Sequence, residues 1–421
     1  MESAPESNLK EFLKQNNLIN NEEDLINLAN ALIEKAYKKQ LKDKTLSALA
    51  YLKQTEEILE ILSSQGKPTK LEIIQVTLNN IAACYQRLGD MEKCAGYLEA
   101  CSFNCYRNPV HTTIDAIALD IKQLKFHACL LIQLAVVLSN LKQHKEALEK
   151  ATHAQNLTHL ALRTTIEGHK VLISYYKKNK QNKSLKQQIF QTIAESATKT
   201  LSALSDYLST NIIPKTEEMR SVLGVKIFSN WVYEFSISNI IVIQPLTISE
   251  VTEKPLLQAE FTKDYLLFKI ALHCASMFCV ATETKHLRTS QQLSVAQRKQ
   301  SEIIHQTSIT LLSAFFPQES PLVQHIVQSF QRRFVSELQE IPEEEPSAAR
   351  SKSSDFSKFP HLKEKKHLKN KQKISPYKRQ FVSPRPKTSL EIRTQGNVKK
   401  NKGRGYSLDL QTRSRTPVEN Y

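Results

Sequence analysis

The chain has 421 residues, 40% of them apolar, with a formal net charge of +16, seven cysteines and only eight glycines. Such a length and apolar content suit one extended array, or two or three domains with a real core. The glycines stand at Gly66, Gly89, Gly96, Gly168, Gly224, Gly396, Gly403 and Gly405, and no GxGxxG or GxxxxGK[ST] loop can be drawn through them, which weighs against Rossmann and P-loop chemistry.

Met1 is followed by ESAPESNLKEF, without the basic start and apolar run of a signal peptide, so the cysteines are expected to be free thiols in a reducing compartment. Residues 1–20 read as a lead-in. Beyond them, apolar residues recur at spacings of three and four with almost no strand alternation, which predicts an all-α body. The periodicity predicts helices over Glu22 to Gln40, Lys44 to Ser63, Lys70 to Leu88, Met91 to Cys105, Thr113 to Leu141, Lys145 to Leu160, Thr165 to Asn179 and Leu185 to Ser209. Paired lengths and short turns make these antiparallel hairpins, grouped as residues 21–210.

A C-terminal helical region, 211–342, is predicted to follow, with helices over Glu217 to Phe235, Leu257 to Thr282, Ser301 to Phe316 and Pro321 to Glu340. Tyr265 to Val280 is its most apolar run. It carries Lys269 and His273 and is shorter than the roughly 20 residues a bilayer core requires, so it reads as a buried helix. Between the helices, SISNIIVIQPLTISEVTEKP, Ser236 to Pro255, is β-branched and holds Pro245 and Pro255. It is expected to be an extended connection lying against the helices.

Small residues give the hairpins their register. Cys94 lies twelve positions after Ala82, Ala147 twelve after Ala135, and Ala48 twelve after Ala36. Leu78-x2-Ile81-Ala82-x2-Tyr85 has the spacing of Leu131-x2-Leu134-Ala135-x2-Leu138, and Leu98, Ala151 and Leu52 follow the second small residue at four. On these positions, with Gly89 and Cys101, the chain resembles the tetratricopeptide repeat (TPR), in register over Leu78 to Cys105 and less closely over Leu131 to Ala154 and Ala36 to Thr55. The units recur at intervals longer than the 34 residues of the simple repeat, so the helices must be extended. Close packing needs Ala82 and Cys94 to lack bulk. Gly89 is expected to end one helix in a left-handed conformation and Asp90 to cap the next.

The resemblance implies a solenoid of antiparallel helical hairpins and a concave groove along the first helix of each hairpin. Outward positions there are Asn79, Ala83, Gln86 and Arg87, then Ile132, Val136, Ser139 and Asn140; the polar ones, Asn79, Gln86, Arg87, Ser139 and Asn140, are the candidates for a partner-binding groove. Two occupants stay open: a protein partner, or the chain's own later helices.

Other constellations have bland readings. Cys94, Cys101 and Cys105 share a helix face, but the first two fill small positions of the repeat and no CxxC exists, so core packing explains them and no metal is expected. His144, His153 and His159 form no paired ligand or catalytic motif, and neither a cofactor nor enzyme activity is expected. Trp231, Phe228, Tyr233 and Phe235 read as core.

From Ile341 the composition turns polar, Lys-rich and dotted with proline, and residues 343–421 are expected to be a disordered basic tail. From Arg350 onward twenty Lys and Arg face five Asp and Glu, so the body is close to neutral and the tail carries the charge. One cluster holds Lys365, Lys366, Lys369, Lys371, Lys373, Lys378, Arg379, Arg385 and Lys387 around Tyr377 and Phe381; a second holds Lys399, Lys400, Lys402 and Arg404 beside Tyr406. Such segments bind polyanions through their summed field, whether acidic tubulin tails, RNA, DNA or anionic lipid. The sequence therefore points first to a non-catalytic adaptor holding a protein partner, its tail on an acidic surface such as a microtubule, in the cytoplasm or on the cytoskeleton. The alternative is a nuclear, nucleic-acid-associated protein binding through the tail.

Ser375-Pro376, Ser383-Pro384 and Thr416-Pro417 set three candidate phosphorylation sites in that charge. A phosphate adds about −1.5 to −2 at neutral pH, and each Lys or Arg near an anionic surface is worth on the order of 1 kcal/mol. Replacing Ser375, Ser383 and Thr416 by Glu is expected to weaken binding to microtubules or RNA, most at low ionic strength. Equal affinity of variant and parent across a salt series would remove the charge switch.

Overall fold

The computed structural model describes residues 21–67, 70–105, 113–179, 184–210, 230–291 and 295–332. Among these the chain is all-α, with no strand. The tail, with every basic and phosphorylation candidate named above, lies outside the described residues, as do 217–229 and 333–340 of the predicted helices.

The first eight helices are α1 (Glu22–Gln40), α2 (Thr45–Ser64), α3 (Leu71–Leu88), α4 (Met91–Phe103), α5 (Ile114–Asn140), α6 (His144–Lys178), α7 (Leu185–Ser196) and α8 (Thr198–Thr210). Three short helices come next, α9 (Asn230–Glu234), α10 (Ser238–Ile241) and α11 (Ile248–Thr252), then a 3-10 turn over Leu257–Phe261. Last come α12 (Lys263–Gln291), α13 (Val295–Phe315) and α14 (Pro321–Phe330). Helix α1 packs on α2, α3 on α4 and α5 on α6, and the successive pairs touch through α2 with α3 and α4 with α5.

One turn geometry closes four of these helices. Gly89 has φ 78°, its N–H donates to the Gln86 carbonyl, and the Asp90 N–H donates to that of Tyr85. The same pair of bonds and a left-handed residue occur at Gly66 (φ 69°), Asp43 (φ 54°) and Lys142 (φ 64°). This is the Schellman arrangement, which satisfies helix-end carbonyls at the cost of one left-handed residue. Only two of the four are glycine. Asp43 tolerates the conformation through its short polar side chain, whereas Lys142 is held there against a preference of roughly 1–2 kcal/mol. Asp90 caps α4, its side chain accepting from the Lys93 N–H.

The small positions are buried as their spacing requires: Ala36, Ala48, Ala82, Cys94 and Ala147 are 0% exposed. Tyr85 stacks on Tyr97 with ring centroids 5.6 Å apart, and Lys53, paired with Glu56 at 2.7 Å, lies over the Tyr97 ring, so one cluster joins α2, α3 and α4.

Apolar burial forms two clusters. The first gathers Leu25, Ile33, Leu52, Ile58, Ile73 and Ile81 from α1, α2 and α3. The second runs from Ile117 on α5 to Ile326 on α14, with α12 along its length. Helices α5 and α12 are long and apolar enough to cross a bilayer, yet 61% and 89% of their most apolar stretches are buried within the fold. Gly168 on α6 permits a close approach there: a Cβ would sit 2.9 Å from Ile117 Cγ2 and 3.3 Å from Leu257 Cδ1.

Several expected boundaries are corrected. Lys145 to Leu160 and Thr165 to Asn179 are one helix, α6, because no glycine or proline between them breaks it; the Thr165 hydroxyl is satisfied within the helix, donating to the Ala161 carbonyl at 2.8 Å. Leu185 to Ser209 is instead interrupted at Ala197. There the Ala194 carbonyl, which a continuous helix would offer to the Thr198 N–H, accepts from His169 Nε2 at 2.8 Å. Leu257 to Thr282 opens with the 3-10 turn, and Thr262 turns extended before α12 begins. Helix α13 starts six residues ahead of the expected Ser301, which is itself buried and donates to the Ala281 carbonyl.

The tight α3–α4 contact carries a direct expectation. Ala82→Leu forces bulk into a position with no exposed surface and is expected to cost about 1 to 3 kcal/mol, read as a lower melting temperature. An unchanged melt beside a clear loss for Leu78→Ala would contradict that packing.

Candidate functional site

The polar face of α3 and the matching face of α5 meet residues 240–253 of the same chain. Ser236 to Pro255 was expected to lie extended against the helices, and its middle does: Val242 has φ −84° and ψ 126°. Helices α10 and α11 flank the extended part.

Side chains do the holding. Gln133 Nε2 donates to the Ile240 carbonyl at 3.1 Å, with Cys129 Sγ beside it at 3.7 Å. Gln86 takes both kinds of main-chain group, donating to the Ile241 carbonyl at 3.4 Å and accepting from the Ile243 N–H at 2.9 Å. Asn79 Nδ2 donates to the Gln244 carbonyl at 2.9 Å. Asn80 closes a ring on a single residue, donating to the Leu246 carbonyl and accepting from its N–H, each at 2.7 Å. Lys122 Nζ donates to the carbonyls of Val251 (3.1 Å) and Glu253 (2.7 Å), at the C-terminal end of α11. Burial pulls the Lys122 pKa below its ordinary value, against the opposing charge of Glu253.

The sequence favours this posture locally. Proline removes an N–H that would otherwise need a partner and biases the preceding residue, Gln244, to an extended backbone. Ile240 and Ile243 are 0% and 1% exposed, whereas Val242 and Gln244 face solvent. Leu246, Ile248 and Val251 pack against the first apolar cluster. Asn79 and Asn80 are 3% and 0% exposed, and Gln40 Nε2 donates to the Asn80 carbonyl at 3.0 Å from beneath.

Of the candidates named from sequence, Asn79 and Gln86 lie on this face and touch the loop. Arg87 does not: its guanidinium donates to the Gln40 carbonyl at 2.9 Å and lies 3.6 Å from Asp43, tying the end of α3 to the first turn. Ser139 and Asn140 sit in the last turn of α5, where the Ser139 carbonyl accepts from the Lys142 N–H. Ile132 and Ala83 are fully buried. Sequence reasoning missed Asn80, Lys122, Cys129 and Gln133. A signal for two of them was present, since Asn80 and Gln133 each stand two residues before the small alanine of their hairpin, Ala82 and Ala135, as carboxamides in otherwise apolar stretches.

The loop ends in a buried charge cluster. Glu260 on the 3-10 turn receives Lys125 of α5 at 2.8 and 2.9 Å and Lys269 of α12 at 2.8 Å, and Lys269 also donates to the Glu260 main-chain carbonyl. Burial alone would raise the Glu260 pKa, but the Lys269 and Lys125 charges outweigh it and hold it below the ordinary value. Burial dominates at Lys269 and pulls its pKa down to about 8. Elsewhere, Ser102 Oγ and His127 Nε2 are 2.9 Å apart between α4 and α5, where burial and His153 hold His127 to about 4, a neutral ring. Cys94 and Cys101 are buried and Cys105 is half-buried. Phe235 is buried, meeting Phe268 edge-on at 6.0 Å, and Tyr233 is exposed.

No protein-family model, curated protein or solved structure matches this chain.

The cluster makes a directional prediction. Glu260→Gln strands the buried Lys269 ammonium and the partly buried Lys125 and is expected to cost about 3 to 5 kcal/mol in urea unfolding, whereas Lys269→Met keeps the Lys125–Glu260 pair and is expected to cost less. Lys269 releases its proton near 8 in the fold and near the ordinary 10.5 when unfolded, so unfolding takes up a proton between those values and stability from this group rises with pH there. The buried thiols act in the opposite sense over the same range, so the contribution is read as a difference: the parent's stability should gain on that of Lys269→Met as pH rises from about 8 to 9. Identical profiles for the two proteins would contradict the buried cation.

Proposed function

We propose that this chain is a non-catalytic adaptor, a TPR-like solenoid of hairpins that holds a protein partner along its inner face while its basic tail, 343–421, contacts an acidic surface such as a microtubule. The observation that carries the reading is the face of α3 and α5, where Asn79, Asn80 and Gln86 hold extended main chain by its own N–H and C=O groups and Gln133 holds the Ile240 carbonyl at the end of α10. Carboxamides offer a donor and an acceptor side by side, which suits a peptide backbone and is indifferent to most side chains. The repeat reading is supported by the recurring left-handed turns at Asp43, Gly89 and Lys142 and by the buried small pairs Ala36 with Ala48, Ala82 with Cys94 and Ala135 with Ala147.

Deleting residues 341–421 tests the division of labour. The truncated protein is expected to retain its protein partner in proximity labelling and co-purification, and to lose sedimentation with polymerised microtubules. If the truncated body retains no partner, and RNA binding and all localisation vanish with the tail, the nucleic-acid reading replaces this one.

A further inference from the structure

Residues 240–253 belong to the chain, yet the face that holds them treats them as a bound peptide. Every described hydrogen bond from α3 or α5 to these residues joins a side chain to the loop's main chain. The loop has no ladder of its own and forms no part of a helix between Val242 and Thr247. Its two ends are both tied to α5, Ile240 through Gln133 and Val251 with Glu253 through Lys122. The anchoring residues Lys122 and Gln133 are eleven positions apart on α5, about 16 Å at the rise of an α-helix. A segment tied at both ends to α5, with its middle laid on another element, can lift from α3 while both anchors stay in place.

The contacts also state what the groove selects. No charged residue occurs from Ile240 to Ser249. Two aliphatic side chains, Ile240 and Ile243, are buried three residues apart; Pro245 needs no acceptor; Leu246 packs on the first apolar cluster while Asn80 holds both of its main-chain groups.

We propose, resting on the adaptor reading, that residues 240–253 are a resident substitute for a partner's peptide. The groove takes an uncharged segment with two aliphatic residues three apart, extended from the second onward, with a proline two residues after the second and an aliphatic residue next to the proline. The loop swings out when such a segment enters. The partner's apparent affinity is then reduced by the fraction of time the loop is closed.

Two measurements on the full chain test this. Hydrogen exchange on the unaltered protein reads opening directly: the N–H groups of Ile243 and Leu246 are expected to exchange at least about a hundredfold faster than those of Ile81 and Ala82 in α3, through a local opening. Exchange of all four only on global unfolding overturns the proposal, whatever the variants do. The second measurement is fluorescence anisotropy of a labelled peptide spanning Ser238–Thr252. It is expected to bind the Leu246→Asp chain about a hundredfold tighter than the parent, and to lose that binding when Asn80→Ala is added. A folded Leu246→Asp chain that ignores the peptide sinks the proposal. A protein partner that binds parent and Leu246→Asp equally and is not displaced by the peptide leaves the adaptor reading standing and overturns this inference alone. Peptide binding with no protein partner on either chain overturns the adaptor reading, and with it the partner's peptide, and leaves only an opening loop.

Discussion

An extended segment laid against a protein face, with no neighbouring strand, must still find partners for the N–H and C=O groups that it covers, since an unpaired buried group costs roughly 1–3 kcal/mol. In this chain carboxamides take the carbonyls of Ile240, Ile241 and Gln244, the N–H of Ile243 and both main-chain groups of Leu246. Asn80 and Gln86 each act as a strand would, donating and accepting within one short stretch of backbone, and Asn79 and Gln133 complete the row. Such side chains are themselves expensive to bury unless paired. Loop and face therefore satisfy each other, and neither is well accommodated without an occupant opposite it.

That mutual dependence also joins the two apolar clusters. Ile240 belongs to the cluster built on α5, α6 and α12, while Leu246, Ile248 and Val251 belong to the one built on α1, α2 and α3. The chain then returns to α5 at Lys122 and ends the excursion at Glu260, where charges from α5 and α12 converge on one carboxylate. At Gly168 the lack of a side chain lets α6 come within contact of both Ile117 and Leu257, so the turn carrying Glu260 is seated by packing as well as by charge.

Much of the helical body was legible because 3.6-residue periodicity persists over long stretches: α1 and α3 to α5 begin and end within a few residues of where the pattern places them. Long, uninterrupted pattern was misread where the decisive event was tertiary. The break at Ala197 depends on His169 from another helix claiming a carbonyl, which no window around Ala197 contains. Lys142 lies in a left-handed turn that its residue type disfavours, because the hairpin imposes the geometry. For the site, Asn79 and Gln86 could be placed together on one face of α3 by register alone. Asn80 points to the same groove from a position that the spacing assigns to the buried side, and its role depends on a segment 166 residues away.

That separation has a consequence in time. At the usual 5–20 residues per second, roughly 10 to 30 s of synthesis divide the appearance of Asn80 from that of Leu246. The hairpins around α3 rest on contacts local in sequence and form early, whereas closing so long a loop is slow and comes last. A nascent chain thus presents its row of amides empty while it is still on the ribosome. During that interval the first backbone to fill it need not be its own.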